Sequence, residues 1–187
     1  ALPIYLSPKN DNEGKPIKYT IGYKRNLGMS LIKSEYAVMM DDDDYLYDES
    51  VLARICCLKY YGKGLVYSAE LAIYNIQNER SYIVEDAPDI SEASILLTKT
   101  FWEKTKFSEG ECGEGMQLVA HRELECIKIP FYFNFIVLQH KRNFTGKNRN
   151  MRFTMTGKYK QASSTQGHMN FFKIFSKSFQ SELKKLM

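Results

Sequence analysis

The sequence predicts an α/β domain with a mixed sheet flanked by helices. Two patterns carry this: stretches of helical apolar spacing alternate with short continuous apolar runs of strand type, and turn residues are scattered between them as punctuation. A third observation sets the scale. In 187 residues, 44% apolar residues with 13% aromatics suffice for a buried core, whereas no run approaches the roughly 18 apolar residues that would span a bilayer. A charged fraction of 26% and a mean hydropathy of −0.40 are ordinary for a soluble globular protein.

Taken in order, Leu27, Ser30, Leu31 and Ser34 fall at helical spacing between Lys24 and Ser34. Tyr36 to Met40 is then a short apolar run of the kind a buried parallel strand shows, and it runs straight into Asp41-Asp42-Asp43-Asp44. Asp48-Glu49-Ser50 opens a second helix, with Val51, Leu52, Ile55 and Leu58 on one face and Gly62 and Gly64 ending it. Leu65 to Ile76 and Ser81 to Val84 read as β segments, Ser94 to Leu97 as a buried strand, and Thr98 to Lys106 as a short helix carrying Trp102. A helix from about Gly115 to Arg122 precedes an aromatic-rich strand pair, Ile127 to Leu138, broken at Pro130. The chain divides into residues 1–155, the domain, and 156–187, a basic connector with an amphipathic C-terminal helix over 170–186. Phe171, Phe172, Ile174, Phe175, Phe179, Leu183 and Leu186 mark the apolar stripe of that helix, with Lys173, Lys177, Lys184 and Lys185 beside it. Such a helix lies on an anionic membrane, fills a groove in a protein partner, or packs back on its own domain.

Charge is unevenly placed. Residues 140–187 carry eleven Lys/Arg against one acid, Glu182, a split that suits either a C-terminal part that meets an anion such as phosphate, nucleic acid or a lipid headgroup, with the acidic rest holding cations, or a solvated basic tail. The four cysteines include the adjacent pair Cys56-Cys57 and show no zinc spacing, so free thiols in a reducing environment are expected. The first residues have neither an initiator Met nor a signal-peptide pattern. Cytoplasmic or virion-associated placement is the expectation.

Four consecutive aspartates at the end of a buried strand repel one another unless something positive joins them. Hard oxygen ligands favour Mg2+ or Mn2+, and a cation held by one or two carboxylates keeps positions open for water and phosphate. In an open α/β sheet, ligands bind beyond the carboxyl ends of the strands, where these aspartates stand.

Gly22-Tyr23-Lys24-Arg25-Asn26-Leu27-Gly28 followed by Ser34-Glu35-Tyr36-Ala37-Val38-Met39-Met40-Asp41-Asp42-Asp43-Asp44-Tyr45 resembles the "RN-G...A-GEYI-DDDD" stretch of family 2 glycosyltransferases, which have the GT-A fold. Ser94 to Lys99 with Phe101-Trp102 and Phe107 is similar to the family's central strand and "W...GF" helix. Gly113-Glu114 stands at its Gly-Glu-Asp acid motif, and Gln139-His140-Lys141-Arg142-Asn143 resembles its late "HG-N" segment. The resemblance covers roughly residues 20–150, and large DNA viruses are among the groups that encode such enzymes.

The resemblance implies a mixed, mostly parallel GT-A-like sheet lacking part of the N-terminal nucleotide-binding half, since a βαβ unit holding the nucleotide base precedes the acidic loop in the family. It implies a metal-dependent inverting transfer of a sugar, a hexosyl transfer, from a nucleotide-sugar donor to a hydroxyl of a glycan or protein, with Mn2+ or Mg2+ as cofactor and no nucleic acid as partner. Asp41 and Asp43 are then the DxD pair, one near the donor ribose and one on the metal, with Asp42 or Asp44 supporting. His140 is a further metal ligand; Lys24, Arg25 and Asn26 meet the donor's nucleotide or phosphates; Arg142 and Arg149, with Lys147 and Arg152, close over the diphosphate. Trp102 stacks on the acceptor sugar. The catalytic base of the family is often the last acid of Gly-Glu-Asp, a place that Gly115 holds here, so Glu114 is the expected base with Glu111 behind it. Two other classes compete. One is a glycosyltransferase-like domain that no longer turns over and serves as a structural or interaction component of a larger assembly such as a virus particle. The other is a Mg2+-dependent phosphotransferase or nuclease, which gives the Arg-Asn, Trp102 and His140 context no role.

Overall fold

The structure is a computed structural model and describes residues 10, 14–68, 70–77, 79–84, 90–110, 113–131, 134–140, 159–161 and 174–186. Helix α1 (Ile21–Leu31) begins at Thr20, whose hydroxyl accepts from the Tyr23 N–H at 3.2 Å and so caps the first turn. The second residue of α1 has to be glycine, because a Cβ on Gly22 would strike the Ser108 carbonyl. Helix α2 (Ser50–Tyr61) ends at Gly62, which takes the left-handed conformation (φ 61°) and returns its N–H to the last carbonyls.

Nine strands form two sheets among the described residues. The first has the order β1 (Tyr36–Val38), β6 (Leu96–Thr98), β3 (Leu65–Ser68), β7 (Cys126–Ile129); the second has β2 (Tyr45–Leu46), β8 (Phe135–Gln139), β4 (Leu71–Asn75), β5 (Arg80–Val84), β9 (Tyr159–Gln161). The architecture is thus mixed α/β, as the alternation of patterns predicts. The sheets, however, are not mostly parallel. Only β3–β7 and β4–β8 run parallel among the described ladders; β1–β6, β3–β6, β2–β8, β4–β5 and β5–β9 are antiparallel. The reason is partly local, since the short turn between Asn75 and Arg80 permits only an antiparallel β4–β5 pair. It is also positional. The 36–40 run expected as a buried parallel strand is a half-buried antiparallel edge strand.

Strand alternation places helices on both faces of the first sheet. Leu65, Tyr67, Ile95 and Leu97 point to one face and pack with Met29 of α1, Phe101 and Trp102 of α3 (Lys99–Lys104), and Leu118 and Val119 of α4 (Met116–Val119). Val66, Leu96 and Ile129 point to the other, against Leu58 and Ile55 of α2. Each such side chain taken fully out of water contributes about 1.5–3 kcal/mol.

The chain passes between the sheets at corners. The run 65–76, expected as one β segment, breaks at Ser68, whose hydroxyl donates to the Glu70 carbonyl at 2.7 Å, so β3 lies in one sheet and β4 in the other. The 127–138 pair splits in the same way into β7 and β8. The acidic run 41–44 is a third corner, between β1 and β2. At this seam lies buried Arg54, 0% exposed, donating to the Ser50 carbonyl at 3.0 Å and the Ser94 carbonyl at 3.0 Å, while Asn134 donates to the same Ser94 oxygen at 3.1 Å. Burial lowers the Arg54 pKa to about 10.

Helix α5 (Lys177–Leu186) packs back on the domain. Leu183 and the preceding Phe175 join Tyr74, Ile136 and Leu138 of the second sheet, and the Tyr45 ring stands 4.7 Å from Phe175 and 4.9 Å from Phe179. Within the expected connector, Tyr159–Gln161 is a strand paired with β5. No helix among the described residues is long and apolar enough to cross a membrane.

Candidate functional site

The acidic corner is fixed from both sides. The Met39 N–H donates to the Ile95 carbonyl at 2.8 Å, prolonging β1 along β6, and the Asp44 carboxylate accepts from the Leu138 N–H of β8 at 3.1 Å. This second bond aligns the corner with the end of β8, where His140 follows. Its Nε2 lies 3.2 Å from Asp43 Oδ2, joining residues 97 positions apart. Asp43 and His140 keep 44% and 27% of their side chains exposed, so the pair faces solvent. Asp41 and Asp42 are exposed as well.

A second group of charges stands behind Asp41. Arg25 of α1 places Nε 2.8 Å from Glu114 Oε1 and a terminal nitrogen 3.9 Å from Asp41 Oδ1. Glu114 is nearly sealed, with 3% of its side chain exposed. Its backbone is fixed too, since the Glu114 carbonyl accepts from the Ser108 N–H at 3.1 Å. Beside it, Glu92 from the 3-10 turn Glu92–Ser94 accepts from the Gly115 N–H through Oε1 at 3.3 Å. Burial, and after it the neighbouring Glu114 carboxylate, raises the Glu92 pKa above the usual glutamate value; the backbone N–H groups and Arg25 oppose this.

The expected site residues therefore separate. Arg25, Asp41 and Glu114 form one connected set, and Asp43 and His140 another, with Asp44 holding the corner to β8. Lys24 is exposed on α1. Asn26 and Trp102 have different places from those the resemblance implies: Asn26 Oδ1 accepts from the Trp102 indole N–H at 2.9 Å and the Phe107 N–H at 3.0 Å, and its amide donates to the Phe107 carbonyl at 2.9 Å. These bonds pin α1 to the segment after α3, and Trp102, 5% exposed, is a core residue there and not an open stacking platform. Glu111, Arg142, Lys147, Arg149 and Arg152 lie outside the described residues.

Sequence reasoning missed Glu92. Its signal was faint, an acid a few residues ahead of the buried run 95–97, and its meaning depends on Glu114 and Arg25, which approach it only in the fold. Among the described residues Cys56, Cys57 and Cys126 are free thiols, as expected, and burial raises the Cys126 pKa to about 11, which keeps it protonated and unreactive.

Among the described residues no three His, Cys, Asp or Glu side chains gather as a ready metal cage. The donor set that is present, one carboxylate and one imidazole in contact and open to water, suits a divalent cation that takes its remaining ligands from solvent and a phosphate group. The chain matches no family model and no curated protein.

Proposed function

We propose that the chain is a metal-dependent inverting glycosyltransferase domain of GT-A type, taking a sugar from a nucleotide-diphosphate donor to a hydroxyl acceptor. The observation that carries this reading is the Asp43–His140 contact at 3.2 Å, an oxygen and a nitrogen ligand brought from opposite ends of the domain to an exposed acidic corner between two sheets.

In this reading Asp43 and His140 hold Mn2+ or Mg2+, which when bound neutralises charge developing on the leaving diphosphate. Asp44, through Leu138, keeps the corner in register with β8. Asp41 lies nearest the donor's ribose and is steadied by Arg25, while the exposed Lys24 meets the nucleotide or phosphates. A carboxylate on the far side of the sugar takes the acceptor proton during direct displacement at the anomeric carbon. The Arg142 and Arg149 segment supplies basic charge toward the diphosphate.

The test is calorimetric titration of the protein with MnCl2 and UDP or GDP, followed by assay of donor hydrolysis and transfer over a panel of nucleotide sugars. Manganese-dependent nucleotide binding, lost in both Asp43→Ala and His140→Ala, is the expected result. Absence of both binding and turnover overturns the enzymatic reading and favours a structural role for the domain.

A further inference from the structure

Resting on the transferase reading, the remaining chemical role is that of the group that takes the acceptor's proton. Glu114, where the acid motif stands, is poorly placed for it: 3% of its side chain is exposed and Arg25 Nε lies 2.8 Å from its carboxylate. A base bound to a guanidinium and closed to solvent cannot meet an incoming hydroxyl. The position after it carries no side chain at all. A Cβ built on Gly115 would lie 3.0 Å from both Glu92 Cγ and Ile95 Cδ1 and 3.5 Å from Glu92 Oε1, so the Glu92 side chain, with Ile95 beside it, borders the space that a side chain at 115 would enter. Glu92 is partly exposed, unlike Glu114, and is oriented by the Gly115 N–H.

We propose that Glu92 is the catalytic base, its carboxylate delivered from the turn before β6 into the space left by Gly115, with Glu114 and Arg25 as positioning residues behind it. In the step, the acceptor O–H bond breaks and its proton passes to a Glu92 oxygen. The acceptor oxygen's electron pair forms the new bond to the anomeric carbon, and the bond from that carbon to the diphosphate breaks, its electrons leaving on the diphosphate. Among the described residues the charged groups facing Glu92 are Glu114, which disfavours its ionisation, and Arg25, which favours it; burial adds to the former. The balance keeps the carboxylate's affinity for a proton above that of a free glutamate, as suits a base.

The experiment compares wild type, Glu92→Gln, Glu114→Gln and the double variant Glu92→Ala/Gly115→Asp. Glu92→Gln retains the oxygen that accepts from Gly115, so the fold is expected to persist by circular dichroism. Its affinity for Mn2+ with UDP or GDP, read by calorimetry, is expected unchanged while kcat falls by about 10²- to 10⁴-fold, and the double variant, which returns a carboxylate to the same space from position 115, is expected to recover part of the lost rate. Full kcat in Glu92→Gln overturns the proposal, as does a Glu92→Gln protein that loses nucleotide binding together with rate. A rate loss confined to Glu114→Gln also overturns it. Failure of wild type itself to bind Mn2+ and nucleotide instead overturns the transferase reading, and this result is distinct from each of the others.

Discussion

Glu114 and Asp43 each stand close to a basic side chain, Arg25 at 2.8 Å and His140 at 3.2 Å, yet Glu114 keeps 3% of its side chain exposed and Asp43 keeps 44%. In the interior, a charge without its partner is costly, so the Arg25–Glu114 pair holds geometry. At the surface, water screens the same attraction, and a solvated carboxylate next to an imidazole costs little to expose and little to rearrange around a cation. The buried and the exposed acids of this site are therefore held in different ways although they look alike in the sequence, and substitutions can separate them.

The largest effect on stability is expected in the buried set. Arg25→Ala leaves Glu114 sealed and unpaired and should destabilise the fold by about 3–5 kcal/mol, measured by urea unfolding. Next comes the platform under the open set. Phe175→Ala removes a buried ring that packs on Tyr45 and Tyr74 and should cost about 3 kcal/mol. Because Tyr45 follows Asp44 directly, this variant should also weaken Mn2+ binding, a loss that a distant core cavity would not produce.

How far these sets were legible in the sequence follows from their range. The acidic corner, α2 and its Gly62 cap are written in local spacing, so they could be read directly. Strand direction was not, because the partner of β1 is chosen by residues about 60 positions away in the chain and that of β4 by a tight turn. The 65–76 run is apolar throughout and carries no mark of the corner at Ser68 that sends its halves to different sheets. Trp102 has an ambiguous signal, since an indole serves equally for stacking on a sugar or filling a core, and only the Asn26 bond decides. Asp43 with His140 was reachable only through family resemblance, and Glu92 not even so, because its importance lies in where Gly115 and Glu114 meet it.

Smaller effects sharpen the contrast through pH. The folded state holds the Glu92 proton more tightly than the unfolded chain does, so ionising Glu92 draws on stability. Stability from this group is therefore present below the ordinary glutamate pKa and declines as pH rises through the raised folded value. Glu92→Gln removes that decline, and its melting temperature relative to wild type should rise as pH increases past the ordinary glutamate value. Glu125 behaves in the opposite sense. Hydrogen bonds from Arg122 and then Lys104 lower its pKa to about 2, so its contribution is present above the ordinary glutamate value and fades as pH falls toward 2; Glu125→Gln should flatten the acid limb slightly. The smallest stability change is expected at the open set, where Asp43→Ala should stay within about 0.5 kcal/mol of wild type.

That near-neutrality makes Asp43 the sharpest probe of the central claim, that the exposed Asp43–His140 pair binds the metal on which sugar transfer depends. Release of nucleoside diphosphate from a panel of UDP- and GDP-sugars, measured with Mn2+ for wild type and Asp43→Ala side by side, tests it most directly. Wild type is expected to release nucleoside diphosphate from at least one donor, EDTA to abolish this release, and Asp43→Ala to show none at unchanged melting temperature. Release by Asp43→Ala at the wild-type rate would contradict the claim.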